Sequence, residues 1–100
     1  SPLDLYFDKN ININRKGSGL LNNIAVYQKN GIGYLVYQEF NYNLIVMKIV
    51  DNNIIATLEG HKLSTSVIRY YVNKYYFFLE IEEYILSCDY DNLVIIWDIT

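Results

Sequence analysis

Short apolar runs alternate with polar clusters along this chain, and the spacing predicts strands. In the first half, Asn23 to Gln28 (NIAVYQ) is followed by Lys29-Asn30-Gly31. Asn-Gly favours a tight hairpin, because both central turn residues must take positive φ. Tyr34 to Glu39 (YLVYQE), Leu44 to Val50 (LIVMKIV) and Ile54 to Leu58 (IIATL) follow. Turn-like Asn41-Tyr42-Asn43 and Asp51-Asn52-Asn53 separate them. Four strands joined by three tight connections predict an antiparallel meander.

The pattern restarts after Glu59-Gly60-His61. Ser66 to Val72, Ile85 to Asp89 and Leu93 to Ile99 read as three more strands, with no fourth. Between the first two lies a longer aromatic piece, Lys74 to Glu83 (KYYFFLEIEE). No sustained 3.6-residue apolar period and no helix caps interrupt the all-β reading. The halves also resemble one another: NLIVMKIV at 43–50 lies over NLVIIWDI at 92–99, an offset of 49. Self-similarity of a four-stranded unit at a fixed period is the mark of a repeat architecture.

Composition narrows the function classes. Of the 100 residues, 52% are hydrophobic and 11 are Tyr, which excludes disorder over most of the length. The net charge of −3 is scattered, and the nearest approach to a basic stripe is Arg15-Lys16. A nucleic-acid partner is therefore not expected. No apolar run reaches the length of a membrane-spanning helix, so no membrane partner is expected either. A single Cys rules out an internal disulfide and suits an intracellular setting, the cytoplasm first and the nucleus next.

The pairing of Gly60-His61 with Trp97-Asp98 resembles the signature of WD-repeat β-propellers, in which Gly-His opens the repeat and Trp-Asp closes it. ILSCDYDNLVIIWD is similar to the end of that repeat: small residues, a turn Asp, an apolar strand, then Trp-Asp. The resemblance implies antiparallel four-stranded blades, about two of them, in an incomplete ring. It divides the chain into an N-terminal strand and Gly-rich connector (1–19), a degenerate first blade (20–59) and a WD repeat lacking its outer strand (60–100). It further implies a hydrogen-bonded chain of Trp97, Ser87, His61 and Asp91. An indole can only donate, a hydroxyl and a neutral imidazole do both, and a carboxylate accepts. In the earlier unit Lys48 stands in the Trp position, Gln38 roughly in the Ser position, and no Gly-His precedes it. Rings need roughly 4–8 blades, so the chain reads as part of a longer protein or as one that pairs through open strand edges. Leu3 to Phe7 (LDLYF) is a candidate outer strand.

Ser87, His61 and Asp91 also fit the roles of nucleophile, base and orienting acid. The structural reading prevails, since no G-x-S-x-G elbow surrounds Ser87 and Trp97 competes for its hydroxyl. One His and one Cys cannot complete a zinc site, so no metal and no cofactor are expected. Gly17-Ser18-Gly19 and Gly31-Ile32-Gly33 lack the Lys-Ser/Thr and helix that a phosphate loop needs. Tyr75, Tyr76, Phe77 and Phe78, rimmed by Glu80, Glu82 and Glu83, read either as part of an extended second strand or an extra hairpin whose rings fill a blade core, or as a docking patch for a partner protein. The expectation is a non-catalytic protein-protein interaction scaffold. The alternative is part of an enzyme or small-ligand site at a propeller mouth.

Overall fold

A computed structural model describes residues 10–11, 23–75 and 80–100, so Leu3–Phe7 and residues 76–78 lie outside the described residues. The described chain is all-β: two antiparallel sheets and no helix. The first sheet is a meander of β1 (Ile24–Lys29), β2 (Ile32–Gln38), β3 (Leu44–Lys48) and β4 (Ile54–Leu58). The second is a meander of β5 (Thr65–Tyr75), β6 (Glu80–Asp89) and β7 (Val94–Asp98).

Local chemistry makes the turns. Asn30 and Gly31 take φ of 52° and 78° between the paired Lys29 and Ile32, a two-residue hairpin turn. The β2–β3 and β6–β7 turns share one geometry. In the former, Glu39 N–H donates to Asn43 O and Tyr42 N–H to Glu39 O. In the latter, Asp89 N–H donates to Leu93 O and Asn92 N–H to Asp89 O. Tyr42 and Asn92 both have positive φ, 73° and 62°.

This shared turn corrects the repeat offset. The pairs that flank it are Gln38↔Leu44 and Cys88↔Val94, a step of 50 rather than 49. The counterpart of Trp97 is therefore Met47, not Lys48, and that of Ser87 is Tyr37, not Gln38. A slip of one residue moves a side chain to the opposite face of a strand, so the distinction decides which way each group points. Of Lys74 to Glu83, the described residues lengthen the strands: Lys74 and Tyr75 end β5 and Glu80 to Glu83 begin β6, paired out to Tyr75↔Glu80.

The sheets stack face to face. Val36, Leu44 and Val46 of the first and Ile68 and Ile85 of the second are 0–1% exposed and form one core, with Tyr27, Tyr34 and Trp97 packed around it. Alternation along each strand sends every second residue into this layer. The first sheet's opposite face carries a smaller cluster, Leu35, Tyr37, Ile45 and Met47, with Ile11 against it. Polar clasps join the sheets, among them those of Gln38 and Lys29. The Gln38 amide donates to Leu63 O (2.9 Å) and accepts from Thr65 N–H (2.7 Å). Lys29 Nζ meets Glu83 Oε2 at 2.7 Å.

Candidate functional site

Ser87 and Asp89 are two apart on β6 and so share the face turned toward the first sheet. Across the ladder lies β7, where Trp97 pairs with Ile85. The loop after β4 closes over both strands at Gly60. A Cβ there would come within 2.9 Å of Ile95 Cδ1 and 3.0 Å of Trp97 Cη2, so only glycine lets the backbone lie on the indole. This close approach delivers the next residue, His61, into the interior.

The result is a continuous hydrogen-bonded chain. Trp97 Nε1–H donates to Ser87 Oγ (2.8 Å), Ser87 Oγ lies 2.6 Å from His61 Nε2, and His61 Nδ1 lies 2.8 Å from Asp89 Oδ2. With the imidazole proton on Nδ1, every donor has one acceptor: indole to hydroxyl, hydroxyl to Nε2, and Nδ1–H to carboxylate. The other carboxylate oxygen of Asp89 accepts the N–H of Asp91 (2.8 Å) and of Leu93 (3.2 Å), which caps the β6–β7 turn. These bonds, the one from His61 foremost, hold the Asp89 carboxyl below its ordinary value of 3.8, against the opposing effect of burial. Ser87 is 1% exposed, and His61 and Asp89 are each 4%.

The acid is thus Asp89, not Asp91. Asp91 is exposed and enters only through its backbone N–H. The signal that identifies Asp89 was present: it lies two residues from Ser87 on a strand, and Asp favours the first position of such a turn. Asp98 also lies outside the buried chain. It is exposed, and it accepts the N–H of Thr100 at 3.0 Å.

Tyr75 does not fill a core. It is half-exposed at the end of β5, where its hydroxyl accepts from Asn73 Nδ2 (2.8 Å). The rings that do pack between the sheets are Tyr34, Tyr27 and Tyr70, which none of the sequence motifs singled out. Tyr27 stacks on Tyr34 with centroids 4.9 Å apart and on Tyr70 at 4.2 Å. Tyr70 O–H donates to Glu83 Oε1 at 3.0 Å, beside the Lys29 bond. Burial first, and then the carboxylate of Glu83, pushes Tyr70 up to about 12; burial likewise raises Tyr27 to about 12.

No group of three or more potential metal-ligating His, Cys, Asp and Glu occurs among the described residues. No helix among them is long and apolar enough to cross a membrane. No protein-family model, no curated protein and no solved structure matches the chain.

Proposed function

We propose that this chain is a non-catalytic scaffold of the WD-repeat propeller type, which holds other proteins or further sheets of its own kind on its sheet faces and edges. The observation that carries this reading is the buried chain Trp97–Ser87–His61–Asp89. It spends four polar side chains on tying one loop to two strands and a turn. Such wiring makes a rigid platform, because each group left unpaired in the interior would cost about 1–3 kcal/mol.

The same order of contacts, carboxylate to imidazole to hydroxyl, is that of a hydrolase triad, which favours the enzyme reading. Access argues against it. At 1% exposure Ser87 Oγ has no room for a substrate carbonyl, and the indole already occupies a lone pair of the would-be nucleophile. The scaffold belongs inside cells, where its lone Cys88 stays a thiol, and its partners are proteins rather than nucleic acid or lipid.

A fluorophosphonate probe and a melting curve, applied to the chain and to its Ser87→Ala variant, separate the two readings. The scaffold reading predicts no label on Ser87 and a lower Tm for the variant. Specific labelling of Ser87, with a variant that melts unchanged, would overturn it.

A further inference from the structure

Beside the Lys29–Glu83 clasp, where the two sheets meet, they leave a hollow of about 300 Å³. Both sheets supply its walls. From β3 and β4 comes an apolar lining of Val46, Ala56 and Leu58, and the other side is formed by Asp98 and the two residues after it. Glu83 holds that segment in place. Ile99 N–H donates to Glu83 O (2.9 Å), and Glu83 N–H donates to Thr100 Oγ1 (2.9 Å). The hollow is thus a built feature of the joint, with its walls fixed by hydrogen bonds.

Tyr27, Tyr34, Glu83 and Asp98 bring polar groups to the same hollow. Tyr27 and Tyr34 are opposed across the β1–β2 ladder and are 7% and 9% exposed, yet neither hydroxyl has a hydrogen-bond partner among the described residues. A hydroxyl so deeply buried ordinarily has one, from protein, water or ligand. Tyr70, the third ring of the stack, shows the contrast by giving its O–H to Glu83 Oε1 (3.0 Å). The charges are also unequal. Lys29 Nζ takes Glu83 Oε2 (2.7 Å), which matches that carboxylate. Asp98 accepts Thr100 N–H on Oδ1 (3.0 Å) and has no ion-pair partner among the described residues. The lining therefore carries one cation against two anions.

We propose that this hollow binds a small organic ammonium ion, its charge toward Asp98 and its carbon body against Val46, Ala56 and Leu58. Each part of the ligand answers a feature of the lining. The surplus negative charge calls for a monocation, since charges taken out of water need pairing. An ammonium offers up to three N–H donors and no acceptor, and here one carboxylate and two free hydroxyls accept. The tyrosine rings add attraction for a cation lying close to them. The aliphatic lining selects carbon over a metal ion, which takes oxygen ligands on all sides. No group of three potential metal ligands occurs among the described residues. Size sets the last limit, because ligand pockets run from about 300 to 1,000 Å³ and this one lies at the small end. The inference does not rest on the scaffold reading, as it uses no residue of the buried polar chain.

The test titrates benzylammonium chloride into the full ¹⁵N-labelled chain at low ionic strength and follows the backbone amide signals. Binding predicts saturable shifts at Tyr27, Tyr34, Ala56 and Thr100, with half-saturation at about 1 mM or below, within reach of a ligand this small. Benzyl alcohol, uncharged and of the same shape, should bind about fivefold more weakly. Asp98→Asn keeps an acceptor for Thr100 N–H but removes the charge, and should weaken benzylammonium about fivefold. Tyr34→Phe should weaken it about threefold. The absence of saturable shifts at these amides overturns the proposal. Equal affinities for benzylammonium and benzyl alcohol also overturn it, by making the hollow a merely apolar pocket. The same holds for shifts that fall on Tyr71, Tyr84, Leu86 and Ile96 instead. The comparison of the two ligands needs no variant, so it decides the matter even where a substitution disturbs the fold. Neither result bears on Ser87 or His61, and failure here leaves the scaffold reading standing.

Discussion

The two sheets solve one packing problem with different side chains. Where the second sheet places Ser87 and Trp97, the first places Tyr37 and Met47, 7% and 5% exposed, in a cluster with Leu35, Ile45 and Ile11. The second sheet fixes its preceding loop with directional hydrogen bonds; at the matching positions the described residues of the first sheet make an apolar cluster. Hydrogen bonds specify one geometry but penalise any missing partner, whereas a cluster containing Met tolerates repacking. A four-residue polar chain is therefore a device for holding a loop in one place. It is not a requirement for making such a sheet.

The sharpest way to break this comparison is to remove the hydroxyl at its centre. Ser87→Ala leaves Trp97 Nε1–H and His61 Nε2 without their partner, at about 1–3 kcal/mol for each group. The melting temperature of this variant should fall by at least about 8 °C, taking about 4–8 °C per kcal/mol in a domain of this size. Met47→Leu, at the position of Trp97 in the first sheet, is volume-conserving and should cost less than about 1.5 kcal/mol. Equal losses in the two variants, read in parallel denaturant titrations, would show that the sheets are held in the same way.

The joint between the sheets comes next. Lys29→Met strands the Glu83 carboxylate, whose side chain is 5% exposed, with Tyr70 as its remaining side-chain donor. Stability should drop by about 1–3 kcal/mol. The double variant Lys29→Met/Glu83→Gln should regain much of the loss, because the penalty lies in the unpaired charge. No recovery in urea unfolding of the double variant would mean that the lysine stem, not the ion pair, makes the clasp.

Protonation distinguishes the joint from the buried chain. Asp89 is held below 3.8 in the fold, so its contribution is complete above the unfolded value and is lost as pH falls through the lowered one. Tyr27 and Tyr70 are raised from 10.0 to about 12, so the unfolded chain ionises first and stability is lost as pH rises from about 10 to 12. Melting curves across pH should therefore show an acid limb that Asp89→Asn reduces. They should also show an alkaline limb that Tyr27→Phe and Tyr70→Phe reduce. The smallest effect belongs to Asp91→Ala: with only its backbone engaged, Tm should correspond to a change within about 0.5 kcal/mol.

Much of the fold was legible because strands and turns announce themselves locally. Alternating apolar positions mark β1 to β4, and Asn30-Gly31 fits a turn that demands positive φ twice. Gly60, His61, Ser87 and Trp97 were legible through a motif. Asp89 was obscured because two aspartates fall within one turn, and only strand alternation tells which faces Ser87. The equivalence of two cross-strand pairs, Tyr27↔Tyr34 and Tyr71↔Tyr84, was hidden for a different reason. Tyr27 and Tyr71 are 44 apart while Tyr34 and Tyr84 are 50 apart, because the β5–β6 hairpin is six residues longer than β1–β2. No single period registers both. The Lys29–Glu83 clasp joins residues 54 apart in different sheets, and nothing local to either residue announces it.

The central claim is that one His and one Trp are bound to a single serine hydroxyl inside the second sheet. The chain contains one of each, so their ring signals need no assignment in a ¹H–¹⁵N spectrum. The account predicts a His61 ring locked with its proton on Nδ1. It also predicts a slowly exchanging indole N–H, and both features vanish in Ser87→Ala while they persist in Asp91→Ala. A histidine that averages its tautomers freely, beside an indole proton that exchanges as fast as in a short peptide, would contradict it.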